Sequence, residues 1–149
     1  MSDVTALGLD VGRKRIGVAG CDRLGLLATG LTTIHRTAFQ QDVEQIQAIV
    51  KAREITILVV GLPYQMNGEI GFQAKQVQKF SHRLSQILQL PIDYVDERLT
   101  SVEAEQQLKA QKRFSTYNKG LIDQQAAQII LQQWLDQRQS LAQTPGLTP

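Results

Sequence analysis

Residues 55 to 60 read ITILVV, a continuous apolar run rich in β-branched side chains and no longer than a strand. Such a run marks a strand buried on both faces, and doubly buried strands belong to sheets with parallel pairing covered by helices. The preceding stretch supplies the cover: Phe39, Val43, Ile46 and Val50 recur at helical spacing,. A helix leading into a buried strand implies a parallel addition to a sheet that already exists.

That sheet lies upstream. Residues 5 to 10 and 15 to 20 read as strands around a tight turn from Val11 to Lys14, and Leu26 to Ile34 can supply a third after the Asp22 to Gly25 turn,. Together they make an antiparallel meander. Beyond ITILVV comes the glycine-rich loop GLPYQMNGEIG, in which Met66 is read as a cover over the site. Val77, Phe80, Leu84 and Ile87 then mark a second amphipathic helix, and IDYV at 92 to 95 a fifth strand,. Thr100 and Glu103 have capping-box spacing for a helix through about Ala110,. A polar, basic segment follows, then a last long helix over about 120 to 138,. The prediction is an α/β fold: a mixed five-stranded sheet, three strands antiparallel and two parallel, flanked by helices. One domain spans 1–138, with 139–149 a flexible tail,.

Composition excludes several classes. The 149 residues bury roughly two thirds of their unfolded surface without a staple,. No apolar run approaches the roughly 18 residues of a membrane span, and MSDVTALG lacks the features of a signal peptide, so a cytoplasmic location and no membrane partner are expected,. The lone Cys21 excludes an internal disulfide and speaks against a thiolate metal site; it reads as a small strand residue,. His35 and His82 lack a third ligand nearby in sequence, Ser81 and His82 are neighbours rather than a triad, and there is no nucleophile elbow,. A net charge of +2 permits nucleic acid without demanding it,.

Three carboxylate positions have no evident structural job. Asp10 closes the first strand, Asp96 and Glu97 follow the fifth, and Asp123 opens the helical stretch LIDQQAAQIILQQWL. A charge beside buried backbone costs about 3 to 5 kcal/mol when its partner is missing. A divalent cation is one partner able to satisfy several acids that converge from distant parts of a chain. Each acid also has a plainer reading. Asp10 can end a hairpin strand paired with Arg13 or Arg15, and its neighbours Gly12 and Gly17 can admit a phosphate backbone. Asp96 and Glu97 point to opposite sides of an extended chain, so one of them faces a common site and the other is left to a loop ion pair with Arg98 or to support. Asp123 shares a helical stripe with Ala127, Ile130 and Trp134, facing the sheet, yet can equally be an N-cap,.

The segments GLDVGRKRIGVA, VVGLPYQMNG, VDERLTSVEAE and KGLIDQQAAQIIL, taken in order, resemble the YqgF/RuvX family over roughly residues 5 to 138. That family is known both as a Holliday-junction resolvase and as the nuclease that matures the 5′ end of the 16S rRNA precursor. The resemblance implies a ribonuclease H-like fold and a metal-dependent nuclease. Asp10, Glu97 (the Glu of DER) and Asp123 would be the catalytic acids and the ligands of Mg²⁺ or Mn²⁺, with Asp10 shared by a pair of ions. The products would be a 5′-phosphate and a 3′-hydroxyl. Asn67 stands where the family's loop commonly has Asp, so no fourth acid is expected there.

Basic residues adjoin these acids in two groups: Arg13, Lys14 and Arg15 on the first turn, and Lys109, Lys112, Arg113 and Lys119 before Asp123, with Arg98 beside Glu97. They are candidates for gripping phosphates on either side of a scissile bond. Phe114 and Tyr117 interleave with the second group and can stack on bases or pack in the core. Precursor rRNA is preferred over junction DNA, because symmetric resolution needs a two-fold dimer and the exposed sides of the two middle helices look polar. A monomer is therefore expected, with a homodimer the alternative. Two rivals remain. A nucleotide-using phosphotransferase shares the look of GLDVGRKRIGVA but places its nucleotide between two domains. A non-catalytic nucleic-acid-binding factor would keep three acids that repel phosphate in the absence of a metal.

Overall fold

A computed structural model describes residues 4–63, 70–97 and 119–143, except the side chains of 119–120 and 140–143. Strands β1 (Ala6–Val11), β2 (Arg15–Cys21) and β3 (Ala28–His35) form the antiparallel meander. Helix α1 (Phe39–Arg53) leads into β4 (Ile57–Leu62), and α2 (Phe72–Leu88) into β5 (Ile92–Asp96). Helix α3 spans Lys119–Gln143. The sheet order is β3-β2-β1-β4-β5, with β4 parallel to both β1 and β5. The mixed sheet is thus as the sequence predicts.

Strand alternation divides the core into two layers. Leu7, Leu9, Val11, Ile16, Val18, Leu58, Val60 and Leu62 pack with α1 and α2 on one face. The opposite face carries Ala6, Ala19, Cys21, Val59 and Val95 under the Ala127, Ile130, Leu131, Trp134 and Leu135 stripe of α3. By this parity Asp10 falls on the α3 face with Ala6, and Glu97 with Val95, while Asp96 falls with Tyr94 on the other,. Trp134 is buried and donates from Nε1 to Asp93 Oδ2 at 2.7 Å. Cys21 is a buried strand residue whose sulfur accepts from the Ala6 N–H.

Some boundaries differ from expectation. β3 begins at Ala28, not Leu26, because Asp22 Oδ1 accepts the N–H groups of Leu26 and Leu27 and holds them in the turn, leaving both side chains exposed,. Ile87 is exposed, since Leu84 and Leu88 carry the contacts at the end of α2. α3 runs to Gln143, beyond the expected end near 138 and into the stretch assigned to the tail. The helix expected over 100–110 lies outside the described residues. α1 has no side-chain cap at Ala38; buried Asp42 in its first turn accepts the Thr37 N–H instead, beside Arg36,.

Candidate active site

The site lies at the carboxyl ends of the parallel strands, the usual ligand edge of an open α/β sheet. Asp10 pairs in register with Gly17 of β2. A β-carbon on Gly17 would stand 1.9 Å from the Asp123 carbonyl oxygen, so α3 rests directly on the β2 backbone at this point,. That contact sets Asp123 close enough for its charge to act on Asp10. Gly17 therefore admits a helix rather than the phosphate expected from sequence, while Gly12 belongs to the hairpin turn, its N–H donating to the Arg15 carbonyl. On β4, a β-carbon at Gly61 would lie 2.7 Å from Glu97 Oε1 and 2.6 Å from Ile130 Cδ1. Glu97 thus reaches across β4, over the gap this glycine leaves, to hydrogen-bond with Asp10.

Burial, then the charge of Asp123, pushes the Asp10 carboxyl up to about 6, against the opposing effect of its hydrogen bond from Glu97,. Burial raises Glu97 to about 7, followed by the charge of Asp10, the hydrogen bond to Asp10 and the charge of Asp96. Two buried carboxyls in hydrogen-bond contact are best satisfied by one proton held between them,. Asp123 sits inside α3, four residues after Lys119, and is not an N-cap; its Oδ2 accepts from Arg15 Nε at 2.5 Å. Arg15 is accordingly turned inward to an acid, while Arg13 and Lys14 are exposed on the turn.

The structure therefore brings Asp10, Glu97, Asp123 and Arg15 together. Arg98, Lys109, Lys112, Arg113, Phe114, Tyr117, Met66 and Asn67 lie outside the described residues, as does the side chain of Lys119. His35 and His82 are exposed and on different elements. Among the described residues no three acids, imidazoles or thiols already enclose a cation position; Asp123 is engaged by Arg15. The donor set is nonetheless all carboxylate oxygen, the chemistry of hard cations such as Mg²⁺ and Mn²⁺, and two of the three carboxyls are raised by burial and by neighbouring negative charge, which a cation would offset,. Sequence reasoning missed Gly61 and the true role of Gly17. Their signal was a glycine in the middle of two otherwise apolar strands.

Comparison with known proteins agrees with this fold. The family model described as "RuvX: Holliday junction resolvase" matches residues 4–137. A protein of Rippkaea orientalis named "Putative pre-16S rRNA nuclease" is 72% identical over 138 residues, covering 93% of this chain and 99% of that protein. A Synechocystis relative of the same name is 68% identical over 143 residues, covering 96% and 94% of the two chains. Among solved structures, Thermus thermophilus RuvC in complex with a Holliday junction substrate matches with a TM-score of 0.55 at 13% identity, over 91% of this chain and 96% of that one. The fold is ribonuclease H-like.

Proposed function

The chain belongs to the RuvX family, and on that premise we propose that it is a metal-dependent nuclease that trims the 5′ end of the 16S rRNA precursor at the cluster of Asp10, Glu97 and Asp123. The observation that carries this reading is the convergence of three acids from β1, the end of β5 and α3 on one sheet face, two of them buried in hydrogen-bond contact. Asp10, Glu97 and Asp123 would hold Mg²⁺ or Mn²⁺, which supplies an activated water and stabilises the leaving oxygen. Asp10, between the other two, is the acid best placed to be shared. To hold a cation, Asp10 and Glu97 would both have to be ionised. Arg15 holds Asp123 in an ion pair with which a cation would have to compete, and Arg13 and Lys14 offer exposed cations to the phosphates alongside,.

Junction DNA is the second substrate, favoured by the family's description. Paired incision requires two sites related by a two-fold axis. The exposed apolar side chains include a trio on the β2–β3 turn, Leu24, Leu26 and Leu27, not anticipated from sequence. Three leucines fall short of the roughly 800 Å² per partner of a stable interface, so trimming of a single RNA strand remains the preferred reading. Incubating purified protein and Mn²⁺ with precursor rRNA and with a four-way junction in parallel tests it. Trimming of the RNA is expected. Paired, symmetric nicks in the junction without RNA cleavage would overturn the substrate, and cleavage of neither would overturn the activity.

A further inference from the structure

On the far side of the β1–β2 turn from the acids, a groove of about 960 Å³ opens between the turn and the facing sides of the first half of α1 and of α2. Four cations line it: Arg13 from the turn, Arg36 just after β3, and Lys79 and Arg83 from α2. Its one acid among the described residues, Asp42, is buried and already engaged by Arg36 and the Thr37 N–H. The groove is therefore strongly positive toward anything that enters it.

Two of these cations, Arg36 and Arg83, are held in place, while Arg13 and Lys79 are exposed. Arg36 Nη1 donates to the Gly12 carbonyl at 2.7 Å and its guanidinium lies 4.7 Å from the Phe80 ring centre. Arg83 stacks 3.9 Å from the centre of Phe39. Stacked guanidiniums present their N–H edges to a ligand with little further ordering. Beside them Phe72, at the start of α2, leaves 79% of its surface in water. Phe72, Gln76, Lys79 and Arg83 follow i, i+4, i+7, i+11 spacing, so one exposed stripe of α2 carries an aromatic face, an amide and two cations in turn,. The first turn of α2 contains no acid, and Gly71 at its N-cap makes no side-chain cap among the described residues, so the helix dipole adds to the positive field at this end,.

We propose that this groove is a docking track for single-stranded nucleic acid, seating the strand that flanks the cut. Phe72 stacks on an unpaired base, and Arg13, Arg36, Lys79 and Arg83 hold successive phosphates. An exposed ring can stack only on a base whose face is free, which a duplex hides. The inference rests on the nuclease reading for its placement, because Arg13 and Gly12 join the groove to Asp10 through the same short turn.

Binding without turnover tests it: fluorescence anisotropy of a labelled single-stranded RNA, the DNA of the same sequence and their duplexes, in metal-free buffer. Single strands should bind more tightly than duplexes. Phe72→Ala should weaken single-strand binding about tenfold, the loss of one stacked base, while Phe72→Trp retains it. Lys79→Gln should reduce the slope of log affinity against log salt by about 0.7, one phosphate contact. Lys51→Gln removes the same charge from the far end of α1 and should leave affinity unchanged. The proposal is overturned if Phe72→Ala binds within twofold of wild type, if Lys51→Gln acts like Lys79→Gln, or if acidic peptides bind and oligonucleotides do not. A protein that binds through the groove yet cuts no nucleic acid would leave this inference standing and overturn the nuclease reading.

Discussion

Glu97 reaches across β4 to hydrogen-bond with Asp10, and each carboxyl is raised chiefly by burial. Two buried acids then share one proton where two negative charges would otherwise repel. The folded values of about 6 and about 7 exceed the ordinary 3.8 and 4.5.

This pair makes the metal-free protein sensitive to pH. Between the ordinary and the raised values the folded state holds protons that the unfolded chain has released. The contribution is full below about pH 4 and lost as pH rises through about 6 to 7,. In EDTA, the melting temperature of wild type relative to Asp10→Asn should fall between pH 5 and pH 8, and Mg²⁺ should reverse the fall at pH 8. A constant difference across that interval would show that the pair shares no proton.

Gly17→Ala should damage both fold and site. The new β-carbon would collide with the backbone of Asp123, and helix backbone does not yield like a side chain. Overpacking of this kind costs about 1 to 3 kcal/mol or more. A drop of roughly 5 to 10 °C in melting temperature is expected at this size, together with loss of cleavage. An unchanged melting temperature would contradict the close seating of α3.

Arg15→Gln releases Asp123 from the guanidinium that pairs with it and removes a positive charge from the cluster. Mn²⁺ should bind the variant more tightly, by about fivefold, the scale of a partly exposed ion pair. Calorimetric titration measures it; weaker Mn²⁺ binding would mean that Arg15 organises the acids instead of competing for one of them.

Ca²⁺ should occupy the cluster and compete with Mg²⁺ without supporting cleavage, since its larger radius and looser coordination misplace the attacking water. Equal rates with the two ions would rule out a site that depends on tight octahedral geometry.

Much of this was legible in the sequence for physical reasons. The apolar, β-branched run ITILVV favoured a buried strand, and β4 takes its last four residues and continues to Leu62, while Leu7, Leu9 and Val11 alternate with Ala6 and Asp10 as a two-faced strand must,. The acids stood out because each breaks its local pattern. What was not legible depends on contacts distant in sequence: a glycine shows that something comes close, not whether it is a phosphate or the backbone of Asp123, more than a hundred residues away. The start of β3 was hidden because Leu26 and Leu27 look like strand residues until Asp22 is seen to bind their N–H groups. Phe72 was overlooked because periodicity draws attention to the buried stripe of a helix, and its stripe faces water.

The most direct test is the cleavage of precursor rRNA by wild type and Asp10→Asn with Mn²⁺, measured alongside circular dichroism. The substitution keeps side-chain volume and removes the charge between Glu97 and Asp123. The expected result is cleavage by wild type, an unchanged spectrum for the variant, and variant activity no more than background. Substantial cleavage by a folded Asp10→Asn protein would contradict the assignment of the three acids as the catalytic centre.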